Sequence, residues 1–172
     1  QVIPAADLGS LTYVPMANEN GAKAFTMTAS DGGLSSAAAT LTMTLAAVND
    51  APTLAAIAVS GTEDTTLTFT AANFTGAYTD AESTALVSIT VVTLPSSGTL
   101  LLSGIPVTAG QVISSATLAN LTYVPAAHEN GAKTFTVTVS DGALSSPVST
   151  VTLNLAPVDD APVANGSATL AS

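Results

Sequence analysis

The chain has no cysteine, no tryptophan and no arginine, and among its 172 residues there are only two lysines and one histidine. Without cysteine there are no disulfides and no thiolate metal sites. Two cations against twelve acids leave a net charge of −10. A nucleic-acid binder must neutralise phosphates with basic groups, so that function is excluded. Attraction to an anionic membrane surface is disfavoured for the same reason. No run approaches the ~18 apolar residues of a spanning helix, so this segment is not expected to insert into a membrane. Also missing are a nucleophile beside a base, a phosphate-cradling glycine loop before a helix, and a histidine cluster, so no enzymatic activity is expected. Aromatics are scarce at 4%. Carbohydrate binding usually exposes them, whereas Tyr13, Tyr123 and the phenylalanines sit at core positions of the pattern.

What the chain does have is repetition. LTYVPMANENGAKAFTMTASDGGLSS at residues 11–36 returns as LTYVPAAHENGAKTFTVTVSDGALSS at residues 121–146, an offset of 110 residues. Across the whole overlap, residues 1–52 against 111–162, roughly two-thirds of the aligned positions are identical. The expected organisation is the C-terminal half of a first repeat at residues 1–52, a complete repeat at 53–162, and the start of a third at 163–172. Each full repeat closes on an acidic proline linker, Val48-Asn49-Asp50-Ala51-Pro52 and Val158-Asp159-Asp160-Ala161-Pro162. Proline cannot continue a central strand, so it ends the module there.

The strong segments alternate with period two. Phe135, Val137 and Val139 face one way and Thr134, Thr136 and Thr138 the other. Val151, Leu153 and Leu155 repeat the pattern, as do Leu67 with Phe69 and Leu121 with Tyr123. Residues 86–94 are rich in β-branched side chains. All read as half-buried strands. Asn20-Gly21, Asn130-Gly131, Asp31-Gly32 and Asp141-Gly142 supply turns. About seven short strands in about 110 residues predict an all-β fold, an immunoglobulin-like or cadherin-like antiparallel β-sandwich in tandem, with no helix.

The acids gather near the module ends, at Glu63-Asp64, Asp80, Glu82, Asp141 and Asp159-Asp160. Calcium takes six to eight oxygen ligands from separate loops, and these segments offer such oxygens. The bland alternative is that they are solvated turn acids. His128 has Asn18 as its copy, so no metal or catalytic role is expected there. Glu19 and Glu129 are expected to be solvated, bonding turn amides. Lys23 and Lys133 read as strand-end charges that discourage edge pairing. A Lys–Asn isopeptide bond would instead need a desolvated lysine beside an asparagine and an acid.

The pattern E-D-T…F…Y-T-D-A-E…G-T-L…L-T-Y-V-P-A-A…N-G…F-T-V-T-V-S-D-G…V-D-D-A-P resembles the cadherin-like tandem repeats of large bacterial surface adhesins, the extender modules of the RTX-adhesin type. The linker is similar to the cadherin D-x-N-D-x-x-P, without its second Asn. The resemblance implies Ca²⁺ at the joints. The ligands it implies are Glu63, the Asp80 and Glu82 turn, the linker acids Asp159 and Asp160 and their copies Asn49 and Asp50, with Asp141 as a further acid of the set. It also implies a secreted, extracellular or cell-surface location and neighbouring repeats of the same chain as partners. The expected function is a non-catalytic, calcium-stiffened extender in cell adhesion or biofilm. The alternative is a subunit of an extracellular filament, sheath or matrix, built from identical chains by lateral or strand-donating contacts.

Overall fold

The computed structural model describes residues 1–161. The expected start of a third repeat, at 163–172, lies outside the described residues. The chain divides into two compact units, Gln1–Asp50 and a second beginning at Ala51.

The first unit holds a 3-10 turn at Ala5–Ser10 and two strands, β1 (Gly21–Met27) and β2 (Ala39–Leu45), paired antiparallel from Gly21 opposite Leu45 to Met27 opposite Ala39.

The second unit carries β3 (Thr53–Leu54), β4 (Ile57–Thr62), β5 (Leu67–Thr68), β6 (Tyr78–Thr79), β7 (Ser88–Thr93), β8 (Thr99–Leu102), β9 (Ile105–Pro106), β10 (Val112–Ser114), β11 (Leu121–Val124), β12 (Gly131–Ser140) and β13 (Ser149–Ala156). One sheet runs β10-β7-β12-β13-β4, a second β5-β11-β8-β9, and β3 pairs with β6. All pairs are antiparallel except β13 with β4. This is the all-β sandwich that the alternation predicts. Phe135, Val137, Val139, Val151, Leu153 and Leu155 are buried, and so are Leu67, Phe69, Leu121 and Tyr123. Strand side chains point alternately to opposite faces, so each strand lays one row into the core. Phe69 packs on Phe135 in a T-shape at 5.9 Å between ring centroids and tilts against Phe74 at 5.8 Å.

The parallel pair sets the polarity of the module. β4 and β13 finish at the same end, here called the trailing end, where the chain leaves. Antiparallel β12 starts there and finishes at the opposite, leading end.

The structure adds a one-turn helix, α1 (Ala71–Thr75), where no helix was expected. Its start is held by Asn73 Oδ1, which accepts from the Thr70 amide at 2.7 Å and the Thr70 hydroxyl at 2.9 Å. It delivers Phe74 fully into the core. A single turn is too short for a 3.6-residue period to register in sequence.

Gly98 sits at φ +65, and a Cβ built there would run into the Tyr123 ring and hydroxyl. An L side chain is strained at that φ and has no space. Gly98→Ala is therefore expected to destabilise the module by about 1–3 kcal/mol, read as a lowered urea midpoint. An unchanged midpoint would contradict the close approach.

Candidate cation-binding ends of the module

The acids of the complete module fall into two groups because the strands carry them to opposite ends. At the leading end β3 pairs with β6, and Asp80 follows β6 directly. Asp141 follows the last residue of β12. Each acid closes its own turn. Asp80 Oδ1 accepts the Glu82 amide at 3.0 Å and the Thr84 amide at 2.7 Å. Asp141 Oδ1 accepts the Ala143 and Leu144 amides, both at 2.7 Å. Such side-chain-to-backbone bonds make the turn self-supporting. Asp141 is buried, while Asp80 and Glu82 are half-buried. The second oxygen of Asp80 and the hydroxyl of Tyr78 are both cut off from water, and neither has a hydrogen-bond partner. Burial first, then the charges of Asp80 and Asp141, push the Tyr78 hydroxyl pKa up, so both carboxylates lie within electrostatic reach of this phenol.

At the trailing end Glu63 is buried directly after β4. Its Oε1 accepts the Val158 amide at 2.7 Å and its Oε2 the Asn130 side-chain amide at 3.1 Å. Glu63 thus ties the departing segment to the turn before β12. Asp64, at φ 55, accepts the His128 amide through Oδ1 at 3.0 Å. The His128 ring Nδ1 contacts Asp160 Oδ2. One ligand atom each from Asp64, His128 and Asp160 lies within 4.8 Å of the others, all on exposed residues. The bond to Asp160 first, then the charges of Asp160 and Asp64, push the His128 pKa up. Asp159 is exposed. Asn49 and Asp50 belong to the first unit, where the Asn49 side-chain amide reaches the Asp50 carbonyl at 3.4 Å.

Position 128 has no recurring side chain, but it has a recurring backbone: Asn18 stands at φ 60 and His128 at φ 57. Asparagine and histidine both enter the left-handed region more readily than most residues. One expectation changes here: Glu129 is buried and not solvated. It accepts the Tyr123 hydroxyl at 2.8 Å, the Ala126 amide at 2.8 Å and the Ser97 hydroxyl, and it pairs with Lys133 at 3.3 Å. Glu19 repeats this with Tyr13 at 2.7 Å, the Met16 amide at 2.8 Å and Lys23 at 3.0 Å. The lysines therefore neutralise a carboxylate. The sequence signal was available as a shared Tyr-x5-Glu-x3-Lys spacing in both copies.

A β-sandwich that carries acids to both of its ends defines the class of fold. Residues 48–156 match the family model of the cadherin-like domain, and the chain belongs to that family. Among solved structures it is similar to human mucin-like protocadherin EC1-2, with 18% identity over 86% of this chain and 74% of that one and a TM-score of 0.48. It is also similar to an endo-fucoidan hydrolase, MfFcnA4, from glycoside hydrolase family 107, at 23% identity, 82% coverage of this chain and a TM-score of 0.39. The chain spans only 19% of that hydrolase's length. No curated protein matches. No helix among the described residues is long and apolar enough to cross a membrane.

Proposed function

We propose that the chain is a non-catalytic, adhesion-type repeat of an extracellular or cell-surface protein, organised as residues 1–52, 53–162 and 163–172, whose module ends take up calcium and thereby stiffen a tandem rod. The observation that carries this reading is Asp80 Oδ2. A carboxylate oxygen withheld from both water and hydrogen bonds is costly unless a cation answers it. The charge of Asp141 acts on the same Tyr78 hydroxyl as that of Asp80, and Glu82 lies on the Asp80 turn. The donors are oxygens, which suits calcium better than softer metals. Two or three carboxylates fall short of the six to eight ligands calcium takes, so water and other segments would complete the shell. At the trailing end Glu63, Asp159 and Asp160 would offer the matching half-set. Asn49 and Asp50 join the reading only as copies of Asp159 and Asp160 one repeat earlier.

Extracellular calcium modules bind in the ~10⁻⁴–10⁻³ M range, so 10 mM calcium should raise the thermal midpoint by roughly 5–15 °C over EDTA. Asp80→Asn should remove most of that rise. If the midpoint ignores calcium, or if Asp80→Asn rises as the parent does, the reading is wrong.

A further inference from the structure

We infer that the Tyr78 hydroxyl is a ligand of the leading-end cation, a neutral oxygen added to the carboxylate of Asp80. This rests on the calcium reading and deepens it, because it brings into the site a residue that a search for acids passes over.

Strand geometry puts the two side chains on one side. β6 pairs with β3 through Thr79 opposite Thr53 and Tyr78 opposite Leu54. The Thr53 and Thr79 hydroxyls meet at 3.0 Å on exposed residues, so they mark the outer side of the pair. Side chains alternate along a strand, which sends Tyr78 and Asp80 to the other side. That side faces the core, and Tyr78 packs against the buried cluster.

Among the described residues, the buried side-chain atoms without a hydrogen-bond partner are the Tyr78 hydroxyl and Asp80 Oδ2. The two therefore do not bond each other, although they share a side of one strand. Asp80 Oδ2 offers only lone pairs, and the phenol oxygen has lone pairs of its own. A cation takes lone pairs from both. A water could donate a proton to each, but it would leave the desolvated carboxylate without a countercharge, which is costly.

The chain has no side chain of its own to supply that charge. It holds two lysines and no arginine. Lys23 is paired with Glu19 and Lys133 with Glu129. His128 lies at the trailing end, against Asp160. The countercharge for Asp80 has to come from outside the polypeptide.

Packing alone does not call for a hydroxyl at this position. A phenylalanine would fill the same space, and a buried hydroxyl with no partner costs stability. The module satisfies its other buried phenol in full. The Tyr123 hydroxyl contacts the Ser97 carbonyl at 2.9 Å and Glu129 at 2.8 Å.

The test is made on the full chain with terbium and calcium. Terbium takes calcium's oxygen ligands and emits when a tyrosine beside it absorbs light. The parent should sensitise terbium, Tyr78→Phe should lose most of that emission, and Tyr13→Phe should keep it. Calorimetry then measures calcium affinity, the heat that Asp80→Asn removes being that of the leading end. Tyr78→Phe should weaken calcium there by about 3- to 10-fold, the worth of one neutral oxygen. Its urea midpoint in EDTA should equal or exceed the parent's, because an unpartnered hydroxyl has gone. Unchanged calcium affinity in Tyr78→Phe, even with the emission lost, would overturn the inference and leave the calcium reading standing. A midpoint that falls in EDTA as far as in calcium would assign the hydroxyl to folding and also overturn it. No calcium heat in the parent would sink the calcium reading and this inference together.

Discussion

Phe135→Ala is expected to destabilise the second unit by about 3–5 kcal/mol, while the same change at its copy, Phe25→Ala, costs about 1 kcal/mol or less. The two phenylalanines occupy equivalent places, Phe25 opposite Leu41 in β1–β2 and Phe135 opposite Val151 in β12–β13. What differs is the layer above them. Phe135 is fully buried and meets the edge of Phe69. Removing its ring leaves a cavity that strands on both sides hold open, so the lost transfer energy and the lost contacts add. Phe25 is half-buried, and water can fill the space its ring leaves. A cost of 3–5 kcal/mol is a large fraction of the stability of a domain this size and should lower its melting midpoint by more than ~10 °C. Urea melts of both variants, followed by tyrosine fluorescence and circular dichroism, make the comparison. Equal losses would mean that the face of the first unit is covered in solution.

The same pair shows why the strands were legible in sequence and the sites less so. Period-two alternation appears wherever one strand face is buried, and β12, β13, β11 and β5 all carry it. The two-residue strands β3, β6 and β9 lack the flank through which two-residue β5 alternates on to Phe69, and residues 11–14 carry the alternation without forming a strand. The pattern records which face wants burial. Whether the strand forms depends on a partner that may be far along the chain, as β8 is for β11.

The candidate ligands divide for a related reason. Glu63, Asp80, Glu82, Asp141, Asp159 and Asp160 are all loop acids, and composition gives no sign of which end each occupies. The parallel pairing of β4 with β13 decides it, sending Glu63, Asp159 and Asp160 to one end and Asp80 and Asp141 to the other. Parallel neighbours come from residues nearly a hundred positions apart and leave no local trace. Glu129 eluded the sequence reading because glutamate is almost never fully buried unless paired. Its partners Tyr123 and Lys133 were in plain view, and Ser97 was not, because it arrives from the covering half.

Glu129→Gln should cost the second unit about 3 kcal/mol at neutral pH, with a loss that depends on pH in a definite direction. Burial alone would raise the carboxyl's pKa, but the bonds from Ser97, the Ala126 amide, Tyr123 and Lys133 outweigh it and hold the pKa down at about 2, against an ordinary 4.5. That displacement corresponds to about 3 kcal/mol favouring the charged form in the folded state. A carboxyl with a depressed folded pKa contributes fully above its ordinary value. The contribution fades as pH falls through 4.5 and is gone near 2. The parent module should therefore weaken steeply between pH 5 and pH 2, and Glu129→Gln should flatten that limb. Glutamine keeps the size and one acceptor, but its amide nitrogen meets donors, and Lys133, mostly buried, loses its partner. Glu19, also held at about 2, makes the corresponding bonds where water competes for them, so Glu19→Gln should leave the acid limb nearly unchanged. Urea midpoints of the three proteins at pH 7, 5 and 3 carry the test. A Glu129→Gln profile parallel to the parent's would show that the buried carboxylate contributes no pH-dependent stability.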